Sequence, residues 1–236
     1  MPDDVAARAA AVRAVVADAA RRAGRDPAAI RIIGVTKTFP PAAVRAALAA
    51  DIRDIGENYV QEASAKRQAA GGTGTWHLIG GLQRNKVRAA VATFDWVQTV
   101  DSAPLAGALD AEATRAGRRL AVLIQVNVAG ETQKRGVAPA AVEALAEHVL
   151  SLPALRLEGL MTVPPLAADI QASRPHFRVL RTVRDRVAPR LGVELPHLSM
   201  GMSDDFAVAV EEGATMLRLG RALFGPRGWG TRREGS

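Results

Sequence analysis

The sequence has 236 residues, 48% of them hydrophobic and 23% charged, which suits one globular domain of the size of a (β/α)₈ barrel, roughly 250 residues. This excludes a wholly disordered chain, a collagen or a coiled coil, and no apolar run reaches the roughly 20 residues of a membrane span; with no cysteine, disulfides, thiolate metal sites and a Cys nucleophile are excluded too. The net charge of +7 is scattered rather than gathered in blocks, and only 4% of residues are aromatic, so no nucleic-acid partner is expected.

The start, Met1-Pro2-Asp3-Asp4, is acidic where a signal peptide is basic, so a cytoplasmic protein is expected. Residues 3–23 read as a helix, with Val5, Val12, Val15 and Val16 near helical spacing in an Ala-rich background. Gly24 ends it. A β-branched run then marks a buried strand at 30–36, and Pro40-Pro41 opens a helix over 41–50. From there strands at 52–56, 75–80, 96–100, 119–128, 155–163, 196–200 and 215–219 alternate with helices at 58–70, 85–93, 103–117, 138–151, 170–190 and 203–212. There is no internal repeat. The alternation predicts an α/β fold with a parallel sheet, most simply a closed (β/α)₈ TIM barrel capped by an extra N-terminal helix. A doubly wound open sheet is the alternative. One domain is expected over 1–228, followed by a Gly-rich, polar, flexible tail over 229–236.

A barrel carries its site at the C-terminal ends of its strands. In chain order those ends hold Lys37, Gly56-Glu57-Asn58, Gly80-Gly81 beyond His77, Asp101-Ser102, Asn127, Met161-Thr162, Ser199-Met200-Gly201 and Arg218 with Gly220. Polar residues and glycines thus collect at one end of otherwise apolar strands. Of the 31 basic residues only four are lysines: Lys37, Lys66, Lys86 and Lys134. The chain uses Arg as its generic cation, so each Lys is a candidate for chemistry that a guanidinium cannot do. Lys37 ends a hydrophobic strand. Either barrel walls desolvate it into a nucleophilic amine able to form a Schiff base, or it pairs with a carboxylate such as Glu57, or it is simply solvated.

The loops after strands 7 and 8, Ser199–Ser203 and Arg218–Gly220, sit where barrels often bind phosphate; turn and cap chemistry alone is the other reading. An amine facing a phosphate cradle suits pyridoxal phosphate or an aldolase acting on a sugar phosphate. His77, His148, His176 and His197 lack metal-ligand spacing and read as packing, hydrogen-bonding or surface residues. Trp76 and Trp96 read as packing residues, and Glu211-Glu212 as a solvated helix end. Gly71–Gly74 lacks the Gly-Lys-Ser/Thr ending of a nucleotide loop.

Several stretches in order resemble the pyridoxal phosphate homeostasis proteins (the YggS/PROSC family). They are Gly34–Thr38, Gly56–Glu62, Trp76–Gly80 with Leu82-Gln83 and Asn85-Lys86, Glu131 with Lys134 and Gly136, Gly159–Met161, Leu198–Asp204, and Glu212–Gly220 closing with Phe224-Gly225. The resemblance implies a barrel like the N-terminal domain of alanine racemase. It implies pyridoxal phosphate held as a Schiff base on Lys37, with Arg218 against the pyridine nitrogen. Ser199, Met200, Gly220 and Arg221 would surround the phosphate, and Asn58 and Met161 would line the ring pocket. Two positions depart from the family pattern: Arg221 stands where a small hydroxyl residue is usual, and Gly81 where Pro is commoner.

An Arg at the pyridine nitrogen opposes its protonation and weakens the cofactor as an electron sink. Alanine racemase adds a catalytic Tyr from a second domain, for which the chain leaves no room after residue 227. The only tyrosine here, Tyr59, reads as a packing or hydrogen-bonding residue. The expectation is therefore a carrier or buffer of pyridoxal phosphate without efficient catalysis. It would act in intracellular cofactor homeostasis as a monomer, with cofactor-requiring apo-enzymes as recipients and no membrane partner. A weak amino-acid racemase or a Schiff-base aldolase is the alternative.

Overall fold

The computed structural model describes residues 2–165 and 169–226. The expected tail, 229–236, lies outside the described residues, as does the end of the domain at 228. Eight parallel strands close into a barrel in chain order: β1 (Arg31–Val35), β2 (Asp54–Glu57), β3 (Thr75–Leu78), β4 (Trp96–Val100), β5 (Leu120–Gln125), β6 (Leu155–Met161), β7 (His197–Ser199) and β8 (Met216–Leu219). β1 pairs with β8, Ile33 opposite Arg218, and this closure excludes the open sheet.

Helices α1 (Pro2–Arg22), α2 (Pro41–Ala49), α3 (Val60–Ala69), α4 (Val87–Thr93), α5 (Ala103–Arg115), α6 (Val142–Leu150), α7 (Arg174–Leu191), α8 (Phe206–Glu211) and α9 (Arg221–Phe224) complete the chain. α1 buries Val5, Ala9, Val12, Val16, Ala19 and Ala20, a stripe at helical spacing that packs on α8, α9 and α2. Val15, expected in that stripe, faces solvent instead.

Except for β4, which matches its expected 96–100, the strands are shorter than their apolar runs suggested. β1 stops at Val35, before Lys37, and β5 stops at Gln125, with only a single bridge from Val126 to Val137 beyond it. Hydrophobicity marks burial, and buried residues continue past the last ladder pair into the loops. The short α9 was not anticipated, because four residues show no helical period.

Two apolar regions result. The larger lies between the sheet and the helices. The smaller fills the barrel with Ile33, Trp96, Ala121, Leu123, Met161 and Met216. Alternation along each strand sends the second side chain of every pair inward, and several of these are polar. They run from Arg31 and Asp54 at the N-terminal end, through His77, Gln98 and Ser199, to Arg218 at the mouth.

Candidate functional site

Lys37 follows β1 in a four-residue turn closed by the Phe39 N–H on the Thr36 carbonyl at 3.0 Å. Its side chain is exposed, so the expected desolvation by barrel walls is absent. Nor does it pair with Glu57. That carboxylate, wholly buried at the end of β2, accepts the Thr36 hydroxyl at 2.6 Å and the Lys66 ammonium at 2.7 Å. Lys66 comes from α3 and also reaches Glu62 at 2.6 Å and the Thr36 carbonyl at 2.5 Å. Burial pushes the Glu57 carboxyl above its usual range; hydrogen bonds from Lys66 and Thr36 only partly offset this. On the other side of the turn, the Phe39 ring packs on Phe224 of α9 with centroids 5.3 Å apart.

Arg218, on β8, is 4% exposed. It donates to the Ser199 hydroxyl at 2.6 Å and to the Thr162 carbonyl at 2.7 Å, both neutral. No described carboxylate bonds to it, and burial lowers its pKa to about 10, opposed only by the more distant charge of Asp205. Ser199 passes the pattern inward. Its oxygen accepts from Arg218, so its own proton goes to Gln98 Oε1 at 2.7 Å. Gln98 Nε2 therefore faces His77 Nδ1 at 3.0 Å and donates to it. The His77 proton then sits on Nε2, facing Asp54 Oδ1 at 2.8 Å. With His77 neutral, donors and acceptors alternate consistently from Arg218 to Asp54. Total burial holds His77 below its usual range. Burial alone would raise Asp54, but His77 and Arg31 outweigh it and hold the carboxylate low.

The loops after β7 and β8 meet at the mouth. Ser203 Oγ accepts the Ala222 N–H at 3.1 Å, tying the two loops together. Gly201, at φ +92°, lies so close to α8 that a Cβ would fall 2.5 Å from the Ala209 methyl. The N–H groups of Gly220 and Arg221 make no hydrogen bond among the described residues. The Arg221 side chain turns outward to Asp204 at 2.5 Å. The Met200 side chain is buried in the outer core, and its N–H bonds to the Met216 carbonyl. The Ser199 hydroxyl is likewise committed, holding Arg218.

Met161 is buried within the barrel. Asn58 lies at the mouth, and its backbone packs so tightly on Gly80 that a Cβ there would come within 2.4 Å of the Asn58 carbonyl oxygen. Gly81 leaves space that the Arg135 guanidinium fills; a Cβ would fall 2.5 Å from Arg135 Nε. Asn127 lies just beyond β5, and its amide donates to the Glu131 carbonyl at 2.8 Å, bracing the loop that carries Lys134 and Arg135.

Tyr59 is 60% exposed, which goes against the packing half of its packing or hydrogen-bonding reading. Glu211 and Glu212 are not a solvated helix end. Glu212 is buried under Arg174 and Arg178, at 2.7 and 3.1 Å, and Glu211 joins Arg22 and Arg174. Trp76 and Trp96 are buried as expected. Among the described residues no group of His, Asp or Glu is arranged to hold a metal ion. The sequence marks Lys66 only as one of four scarce lysines and Thr162 only as a strand end, assigns neither its partner, and misses Gln98. Only Lys66 left a signal of its pairing, its spacing four residues after Glu62 on one helix.

The alanine racemase N-terminal domain family matches residues 8–228. A pyridoxal phosphate homeostasis protein of Pseudomonas aeruginosa is 45% identical over 227 residues, 96% of this chain and 97% of that protein. The solved structure of PipY from Synechococcus elongatus PCC7942 with PLP bound superposes with a TM-score of 0.82 at 37% identity, covering 94% of this chain and all of that one. An alanine racemase of Clostridium difficile 630 shares the fold, with a TM-score of 0.72 at 17% identity over 84% of this chain and 52% of its own. The closed barrel, the extent of these matches and the retained motifs agree, and the chain belongs to the pyridoxal phosphate homeostasis protein family, built on the alanine racemase N-terminal domain.

Proposed function

We propose that this chain binds pyridoxal phosphate at the barrel mouth, holds it covalently through the Lys37 amine and acts as a carrier or buffer of the cofactor. The observation that carries this is Arg218: a buried guanidinium bonded only to neutral oxygens, at the edge of a mouth, is half of an electrostatic arrangement. A ligand rich in acceptors and negative charge supplies the other half.

The residues present suit pyridoxal phosphate. Arg218 offers donors to the ring nitrogen, and the free N–H groups of Gly220 and Arg221, beside the Ser203 loop, offer donors to the phosphate. Asn58 and Met161 flank the ring. Ser199 acts by holding Arg218, and Met200 acts by shaping the outer core under the loop. When bound, the cofactor supplies an aldehyde that condenses with an amine, losing one water, and can be handed to another amine. Lys37 suits that exchange because it is exposed at the rim, where an incoming amine can reach it.

Efficient catalysis is not part of this reading. The Arg218 cation disfavours protonation of the ring nitrogen and so weakens the electron sink. The exposed Tyr59 is not held as a proton donor. Release to apo-enzymes, action as a monomer and a cytoplasmic setting belong to the same proposal. Among the described residues no helix is long and apolar enough to cross a membrane.

The test is the visible absorption of the purified protein with pyridoxal phosphate, then borohydride reduction and peptide mapping. The expected result is a yellow protein whose principal pyridoxyl label is on Lys37. A protein that stays colourless and unlabelled with excess cofactor overturns the reading. Steady turnover of an amino acid or a sugar phosphate, abolished in Lys37→Ala, would replace the carrier with a racemase or aldolase.

A further inference from the structure

The turn that carries Lys37 contains a residue with an unfavourable backbone. Thr38 has φ +66°, in the left-handed region that β-branched side chains avoid. Such a conformation persists only where its surroundings hold it, and the contacts that hold this one converge on a single cluster. Lys66 Nζ donates to the Thr36 carbonyl at 2.5 Å, to Glu57 at 2.7 Å and to Glu62 at 2.6 Å. Glu62 Oε1 in turn accepts the Thr38 N–H at 2.6 Å.

The Thr36 carbonyl belongs to the peptide plane before the Lys37 Cα, and the Thr38 N–H to the plane after it. Both planes are therefore fastened to one ammonium–carboxylate pair on α3. We propose that Lys66, with Glu62, is a positioning residue for Lys37: it clamps the two peptide planes flanking Lys37 and so fixes the direction in which the amine leaves the backbone. This rests on the reading of Lys37 as the cofactor's anchor.

Two further observations support it. The cluster is costly in a way that stability alone does not explain. Glu57 is wholly buried, yet its Oε2 has no hydrogen-bond partner, and burial pushes the carboxyl above its usual range. Second, all three ammonium hydrogens of Lys66 are engaged, so this lysine is committed to the brace and is not a second amine for the cofactor.

The experiment compares the whole chain with Glu62→Ala, Glu62→Gln, Lys66→Met combined with Glu57→Gln, and Thr38→Gly. Each is titrated with pyridoxal phosphate and, separately, with pyridoxal, which lacks the phosphate and reports on the amine alone; borohydride labelling of Lys37 is read alongside. Glu62→Ala and the Lys66 variant should weaken both aldehydes by the same factor, at least about tenfold, as expected for losing charge-assisted bonds to the turn. Glu62→Gln keeps an oxygen for the Thr38 N–H and should recover most of that loss.

Glycine accepts a left-handed turn unaided, so the Glu62→Ala loss should shrink severalfold in the Thr38→Gly background. A merely structural cluster would lower thermal stability without this dependence on residue 38. If the Lys66 variant fails to fold, the Glu62 and Thr38 variants decide alone, because Glu62 is at the surface edge of the cluster. Wild-type labelling at Lys37 with unchanged affinity in Glu62→Ala overturns the positioning role only. Absence of Lys37 label in the wild type overturns the anchor and the brace together.

Discussion

Two buried cations flank the barrel mouth, and the chain treats them in opposite ways. Lys66 is surrounded by two carboxylates and a carbonyl, one carboxylate from its own helix and the other groups from neighbouring segments. Arg218 is as deeply buried and has only a hydroxyl and a carbonyl. A compensated ion locks local structure; an uncompensated one stores an unmet demand for negative charge. The comparison teaches where to look for a ligand: beside the charge that the fold leaves unanswered.

The contrast can be broken by removing each charge in turn, without cofactor. Lys66→Met strands Glu57 and should cost about 3–5 kcal/mol in denaturant unfolding near pH 7. That cost should shrink near pH 5, where Glu57, held above its usual range, takes up a proton more readily. Arg218→Met removes a cation that no carboxylate answers, so the same measurement should change by no more than about 1 kcal/mol. Its affinity for pyridoxal phosphate should nonetheless fall at least about tenfold. Equal unfolding costs in the two variants would end the contrast.

The interior hydrogen-bond chain sharpens it. His77 is held below its usual range by burial, so the unfolded chain takes up a proton there before the native one does. Stability is thus fully present above about pH 6.5 and declines as pH falls below it, by up to about 1.4 kcal/mol per unit from this group. His77→Gln should flatten that part of the pH profile relative to wild type; parallel profiles would show the imidazole protonating freely in the native state. The smallest effect expected is that of Ser203→Ala, which removes the cap on the Ala222 N–H and should cost about 1 kcal/mol in unfolding free energy.

Much of the architecture was legible in the residue pattern. Eight apolar runs separated by helical periods yielded all eight strands, because most strand residues are buried, with Arg156 in β6 the exposed exception. Lys37 and Arg218 stood out through lysine scarcity and position at strand ends. What could not be read was pairing. Glu57 was a candidate partner for Lys37, and it faces Lys66 instead, whose direction depends on how α3 is seated against β2. Gln98 lies in a wholly buried strand between Val97 and Thr99, and its bond to Ser199 exists only once β4 and β7 face each other across a closed barrel. Met200 and Ser199 belong to a recognisable motif, yet a motif does not reveal whether an N–H or hydroxyl is already spent.

Closure of the barrel through β1 and β8 also governs when the site comes into being during synthesis. The lysine turn leaves the ribosome early, while Ser199, Arg218 and the Gly220 loop follow near the end of the chain. The Phe39–Phe224 contact that backs the turn waits even longer. A chain that stops short of β8 therefore carries Lys37 without Arg218, and on the proposed function it would not capture the cofactor.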